Sequence, residues 1–393
     1  MKLFQKLLLA PVTLGIITPI VANANESNFR DVTTYSQDQA ELSLDTFKPL
    51  SSKNPLLAGG EGLNNSSSND DFDVDTFSST TTASFTSNFA LGSVEGVNDS
   101  LGMNYDWEIA LTSSITGNDS LDVVIDAGVS ALMTELDMTN SSSAVNVDTI
   151  TYTTPLGDRT TAFFALGGGT AGSALYNTAC VYGAQADTFS DCGVSAANIG
   201  EDLGTALGAS FDFENGVTAA IGYEGQGDST KGFLTNEGTD AFGAQLAYSG
   251  DSFGVSLSWA NIENHDADNV VSTGATQSVG VNAYYTPDLN NFPSISAGFE
   301  SNHDDSKSTT NDDQTSHYFI GLQWDEIGDG TLGAAIGSKE PYAENADAST
   351  MYEVFYSYNY ADGITVTPLI YSKDNSGATA DETGIVLKTE FSF

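Results

Sequence analysis

The sequence predicts an all-β protein: a transmembrane antiparallel β-barrel of about sixteen strands with a short polar N-terminal arm. Three observations predict it. Apolar and polar residues alternate with period two through most of residues 79–393. The connections between these runs are short and long by turns, the layout of a chain that recrosses a membrane with its short turns on one side. The last strand ends on an aromatic. In Asp381–Phe393, Ile385, Leu387, Phe391 and Phe393 project to one side, and Val386, Lys388, Glu390 and Ser392 to the other. A greasy face backed by a mostly polar one suits the closing strand of such a barrel.

The elements follow in order. Residues 1–24 have the layout of an export signal, with Lys2 and Lys6, an apolar stretch from Leu7 to Val21, and Ala22-Asn-Ala24 before Asn25. Pro11 and Pro19 interrupt the stretch, and no other window approaches the roughly 20 apolar residues a spanning helix needs. Residues 25–78 are polar and low in complexity, ending near Asn64–Asp75, and are expected to form an arm. The barrel occupies 79–393. In 101–112 the odd positions are Leu, Met, Tyr, Trp, Ile and Leu, and the even ones Gly, Asn, Asp, Glu, Ala and Thr. Phe253, Val255, Leu257 and Trp259 oppose Ser252, Gly254, Ser256 and Ser258; Tyr352, Val354, Tyr356, Tyr358 and Tyr360 oppose Glu353, Ser357 and Asn359. Short turns fall at Thr116–Asp119, Pro155–Asp158, Glu214–Gly216, Gly250–Asp251, Pro287–Asn291, Asp325–Asp329 and Ala361–Asp362. Longer polar loops fall near 130–145, 171–201, 225–237, 263–273, 303–313, 339–348 and 374–381. An acidic secreted sandwich or solenoid competes, but gives no reason for loop lengths to alternate.

The formal charge is −42, from 53 acids against 11 bases. Such a field excludes nucleic acid as a partner and attracts cations; solvated acidic loops account for the same excess. Cys180 and Cys192 are the two cysteines of the chain. In an oxidising compartment they read as a local disulfide sooner than as a metal pair. Gly102, Gly128, Gly208, Gly222, Gly243, Gly254, Gly280 and Gly321 fall on the expected inner face, where an aqueous lumen tolerates a missing side chain. Enzymatic signals are weak. Gly167–Gly172 lacks the Lys-Ser/Thr of a phosphate loop and no H-E-x-x-H occurs, so neither catalysis nor a cofactor is expected. His265 and His303 sit beside carboxylates without zinc or EF-hand spacing, and His317 is expected in the lumen.

Several stretches resemble the porins of cyanobacterial outer membranes, the iron-uptake porin group related to carbohydrate-selective porins. Leu111–Gly128 is similar to that family's early hairpin with its Thr-Gly-x-Asp turn, and Ile150–Asp158 to the next, with Pro-x-Gly-Asp. Phe292–Gly298 and Tyr352–Ile370 are similar to later strands. The resemblance runs in consistent order over 80–393. It implies an outer-membrane location among lipid and lipopolysaccharide, a homotrimer, and iron or sugar uptake. Phe393 resembles the signal by which barrel-assembly machinery recognises its clients. Family members commonly carry an S-layer-homology domain and a coiled coil, for which residues 25–75 leave no room.

The alternation places Asp106, Glu108, Asp122, Asp126, Asp212, Glu300, Glu353 and Glu390 in the lumen, with Lys388 as the one base assigned there. Such a lumen favours cations. In general porins the third external loop folds inward, which makes the stretch near 171–201 the expected constriction, with Asp187, Asp191 and Glu201; an external lid held by the disulfide is the alternative. A barrel closed by residues 25–75 or by the long loop, serving structure or surface recognition, is the rival to an open pore. The purified chain is expected to need detergent to stay dispersed, and its mature N-terminus, read by mass spectrometry, to be Asn25.

Overall fold

The computed structural model describes residues 81–393 apart from 131–132, 134, 137, 200–202, 228–231, 236–237, 266–271, 290, 306–312, 339–341, 344–347 and 375–380. The expected leader and arm lie outside the described residues. Strands β1 (Thr81–Glu95), β2 (Asn98–Ser113), β3 (Ser120–Val129), β4 (Asn146–Pro155) and β5 (Thr160–Leu166) come first. They are followed by β6 (Thr205–Asp212), β7 (Val217–Gly225), β8 (Asp240–Ser249), β9 (Phe253–His265), β10 (Ser272–Tyr285) and β11 (Ser294–Asp304). The set is completed by β12 (Gln314–Ile327), β13 (Gly330–Ser338), the two-residue β14 (Tyr342–Ala343), β15 (Thr350–Ala361), β16 (Ile364–Lys373) and β17 (Glu382–Ser392).

Each long strand pairs antiparallel with its neighbours in sequence, β14 adds to the end of β12, and β1 pairs with both β2 and β17. The sixteen long strands therefore close into a barrel without free edges. The seam is specific in register: Ala90 faces Lys388 on one side and Asn104 on the other, and Phe85 and Phe393 exchange both backbone hydrogen bonds. Among the described residues no helix is long and apolar enough to cross a membrane.

Register fixes the faces. Leu246, Leu257 and Val281 lie side by side on β8, β9 and β10, and all three are exposed, as are Leu101, Met103, Ile221, Val255 and Val354. An apolar surface of this extent is stable only against hydrocarbon. Aromatics gather at its short-turn end: Phe85 against Phe393 (centroids 5.0 Å apart), Phe211 against Phe213 (4.8 Å), Tyr248 against Phe253 (5.2 Å) and the row Tyr356, Tyr358, Tyr360. Amphipathic rings favour the headgroup level, which gives the girdle its place.

The short turns fall near where the sequence places them, and the differences lie on the long-loop side. The β1–β2 connection, at Gly96 and Val97, is short although it lies on the long-loop side; Gly96 at φ 96° makes the tight reversal. His265 and His303, expected in external loops, prove to lie inside β9 and β11, because the strands on that side run further than their apolar pattern.

Two outcomes follow from this architecture. Leu257→Arg, in the middle of the apolar belt, should destabilise the barrel in lipid vesicles by about 2–4 kcal/mol by denaturant unfolding. In the β2–β3 turn, Asp119 accepts from Ser114 Oγ (2.8 Å), Ile115 N–H (2.9 Å), Thr116 N–H (2.7 Å) and Tyr152 O–H (2.8 Å). The Thr116 backbone donor leads these in holding its carboxyl well below the ordinary aspartate range. A lowered folded-state pKa contributes stability above the unfolded value, near about pH 4, and loses it as pH falls. Asp119→Asn should therefore reduce the unfolding midpoint at pH 6 and bring it level with the parent's in strong acid.

Candidate functional site

The interior is shaped by the connection from β5 to β6, described over 167–199 and 203–204. This segment does not lie outside the barrel. It opens with α1 (Ala171–Leu175), whose N-cap Thr170 accepts from Ser173 N–H. It then crosses the inner wall as an extended chain. Alternate N–H groups each find a side-chain acceptor on a strand further round the wall, β10 being passed over: Asn177 donates to Gln245 on β8 (2.6 Å), Ala179 to Ser256 on β9 (3.0 Å), Val181 to Ser296 on β11 (3.1 Å) and Gly183 to Gln323 on β12 (2.8 Å). Three buried strand carboxylates fix the path. Glu224 on β7 accepts from Ala171 N–H (3.0 Å). Glu353 on β15 accepts from Tyr182 O–H (2.9 Å) and from Ala186 N–H (2.6 Å). Glu300 on β11 accepts from Ser195 O–H and Ala196 N–H, both at 2.7 Å, on the way back. Cys180 and Cys192, bonded with Cα atoms 5.9 Å apart, join the outward and returning limbs.

The glycines of the inner face have a different cause from the one the sequence indicated. Those at Gly208, Gly222, Gly243, Gly280 and Gly321 are not openings onto water but lie under the loop. A Cβ on Gly222 would stand 2.5 Å from Ile199 Cδ1, one on Gly208 2.6 Å from Leu175 Cδ1, and one on Gly337 2.8 Å from Phe189 Cε1; one on Gly280 would collide with Val194 and one on Gly298 with the Cys192 carbonyl. Gly208 faces Gly222, and Gly222 faces Gly243, across three consecutive strands. Together they form a shallow track into which the loop packs. Ile199 sits on this track at φ 53°, strained for a β-branched residue, and is fully buried there.

A second segment, 130–145 between β3 and β4, also enters. Met133, Leu136 and Met138 are buried with Phe189, Phe319, Met351, Phe355 and Tyr371. Thr139 donates through its N–H to Asp106 (3.1 Å) and through its hydroxyl to Asp126 (2.8 Å). The two loops bury the wall from β5 round to β1 and, through Thr139, the long-loop end of β2 and β3 at Asp106 and Asp126, while Glu108 on β2 and Asp148 on β4 stay exposed.

The residues singled out in the sequence divide accordingly. Glu108 is exposed on the uncovered wall, directly across from Asp126, with Asp122 across from Thr112 and hydrogen-bonded to it (2.6 Å). Lys388 and Glu390 face inward on β17, half-buried. Asp212 is exposed at the turn end of β6. Asp187 is exposed on the inward loop; Asp191 is mostly covered, and burial pushes its carboxyl up. Glu201 lies outside the described residues. Glu300 and Glu353 face inward but line no water: both are fully buried, because the loop covers them. Asp106 is nearly so, under Thr139, and His317 lies beneath Gly193 with Nε2 at 2.5 Å from the Ser338 carbonyl. Asp148 was missed. It stands at the β-bulge between β3 and β4, near enough to Glu108 and Asp126 for the three charges to act on one another. The bulge shifts the alternation by one residue between Val147 and Ile150, and that phase break is its only trace in the sequence.

Among the described residues no group of three or more His, Cys, Asp or Glu could hold a metal ion. Gly250-Asp-Ser-Phe-Gly254 has the G-x-S-x-G spacing, passed over in the sequence, but it forms a β-hairpin turn rather than the strand–turn–helix that presents a nucleophile.

No family model and no curated protein matches this sequence. Solved structures do match the fold. A triple mutant of the Rhodopseudomonas blastica porin is similar at TM-score 0.53 and 16% identity, over 80% of this chain and 100% of that one. OprB of Pseudomonas putida, in a high-pH structure, is similar at TM-score 0.58 and 12% identity, over 80% of this chain and 94% of that one. The chain therefore has the fold of a sixteen-stranded porin barrel. Gly222→Leu, which drives a side chain into Ile199, should lower unfolding stability by about 1–3 kcal/mol and open 167–204 to protease while the barrel persists.

Proposed function

We propose that this chain is an outer-membrane porin, exported by its N-terminal signal, through which small hydrophilic solutes and inorganic ions diffuse with a preference for cations. The observation that carries the reading is the pairing of an apolar outer belt with an inner wall on which Glu108 and Asp148 are exposed and Asp122 and Asp126 half-buried, against a half-buried Lys388 on β17. A wet lumen removes the dehydration cost of crossing hydrocarbon, and unbalanced carboxylates concentrate cations at the narrowest level. The inward loop forms one side of that level through Asp187 and Asp191, and the β2–β4 wall forms the other.

Of the two cargoes the family resemblance implies, metal cations fit this interior better than sugars. The inner-wall aromatics Phe163, Phe319, Phe355 and Tyr371 are buried beneath the loops rather than displayed along the channel. A homotrimer in lipopolysaccharide-containing membrane, assembled by barrel-assembly machinery through the strand ending at Phe393, completes the proposal. One observation favours the rival reading of a closed barrel: the two inward loops bury a contiguous apolar cluster inside the wall. Planar-bilayer recording separates the two. Unit conductance steps with a reversal potential on the cation side of zero in a salt gradient are expected; silence, or a preference for chloride, overturns the proposal. Deleting 178–194 should raise unit conductance, and Glu108→Gln with Asp148→Asn should reduce the cation-to-anion permeability ratio at least twofold.

A further inference from the structure

Glu135 is the contact point of the two inward loops, and nothing in its sequence context marks it out. Its backbone carbonyl accepts from Asp187 N–H (2.9 Å) and its Oε2 from the Thr188 hydroxyl (3.3 Å). Next to it, Leu136 and Ala186 form an isolated antiparallel bridge. Its Oε1 pairs with the ammonium of Lys373 on β16, and the same ammonium lies 2.8 Å from Glu382 on β17. Lys373 and Glu382 face each other in register, so the ion pair is anchored in the barrel wall. All three side chains are largely buried. One carboxylate thus ties the tip of the long loop, where Asp187 is exposed, to the shorter loop and to the wall.

The other attachments of the long loop lie elsewhere. Glu224, Glu300, the row of alternate N–H donors and the disulfide hold its limbs against β7–β12, and Glu353 holds residues 182–186. None of them reaches 187–188, and the nearest packing anchor is Phe189, buried against Phe319 on β12. The shorter loop has Thr139 on Asp106 and Asp126 near its far end and Glu135 on Lys373 near its start.

We propose that Glu135 and Lys373 form a clasp that positions Asp187 at the channel's narrow level, making Glu135 a positioning residue for permeation although it does not face the permeating ion. Opening the clasp frees the contact between the loops while the barrel and the limbs of the long loop stay in place. The proposal rests on the channel reading above.

The test is single-channel recording on full-length protein whose barrel is verified by its detergent-resistant, heat-modifiable gel mobility. Lys373→Met keeps the length of the stem and removes the charge. Unit conductance is expected to rise about 1.5- to 2-fold, open-channel noise to increase, and the cation preference to fall as Asp187 moves off the narrow level. Lys373→Arg should restore parental values, a rescue that loss of packing alone would not give. Because Lys373→Met takes the shared cation from the buried carboxylates of Glu135 and Glu382 and so threatens assembly, Glu135→Gln provides a second opening of the same clasp with less disturbance. A Leu136→Cys/Ala186→Cys cross-link in either background should return conductance and noise to parental levels. If assembled variants match the parent in conductance, noise and selectivity, or if the cross-link leaves their altered values unchanged, the clasp is overturned. If the parent itself fails to conduct, the channel reading falls instead.

Discussion

The constraint on which the structure depends is that no backbone N–H or C=O may face hydrocarbon unpaired. Closure of β1 on β17 meets it, and most other features follow from that closure. A closed wall must be apolar outside, which gives the belt around Leu246, Leu257 and Val281. It then has an inside that cannot be filled by its own short alternate side chains at this strand number. The space is available to whatever the long-loop side sends in, and this chain sends in two segments.

How those segments are held is the second physical theme. An irregular chain inside a barrel carries its own unpaired amides, and each needs an acceptor. The wall supplies them with glutamate, glutamine and serine on β7, β8, β9, β11, β12 and β15. Burying Glu224, Glu300 and Glu353 would be costly for bare carboxylates; backbone and hydroxyl donors from the loop offset that cost. The acidic residues of the interior therefore divide by role. Those under the loops, Asp106 on β2 among them, are structural acceptors, and Glu108 and Asp148 stay exposed on the inner wall.

The barrel was legible in the sequence because period two along a strand is a property of the backbone alone. The turns were legible because Gly, Asp, Asn and Pro cluster there for local conformational reasons. Which inward residues meet water was not legible. Glu108 and Glu353 occupy equivalent positions in the alternation, yet one is exposed and the other fully buried, and the difference is made by a loop more than a hundred residues from Glu353 in the chain. The same distance hid the purpose of the glycines, which are small because Ile199, Leu175, Val194 and Phe189 press on them. Asp148 was hidden by a bulge, and Glu135 by its place in a loop without periodicity. Sequence patterning reports a residue's side of the wall; what covers that side is decided by tertiary contact.

The covalent bond between Cys180 and Cys192 spans a separation of only twelve residues. So short a ring closes with little entropic penalty and needs no neighbouring strand as a template. In an oxidising compartment it can form while the polypeptide is still in transit, ahead of insertion. The hook-shaped segment would then reach the growing cylinder already folded back on itself, with both limbs facing the acceptors that receive them, and the last stage of maturation becomes a docking event rather than the threading of a free strand.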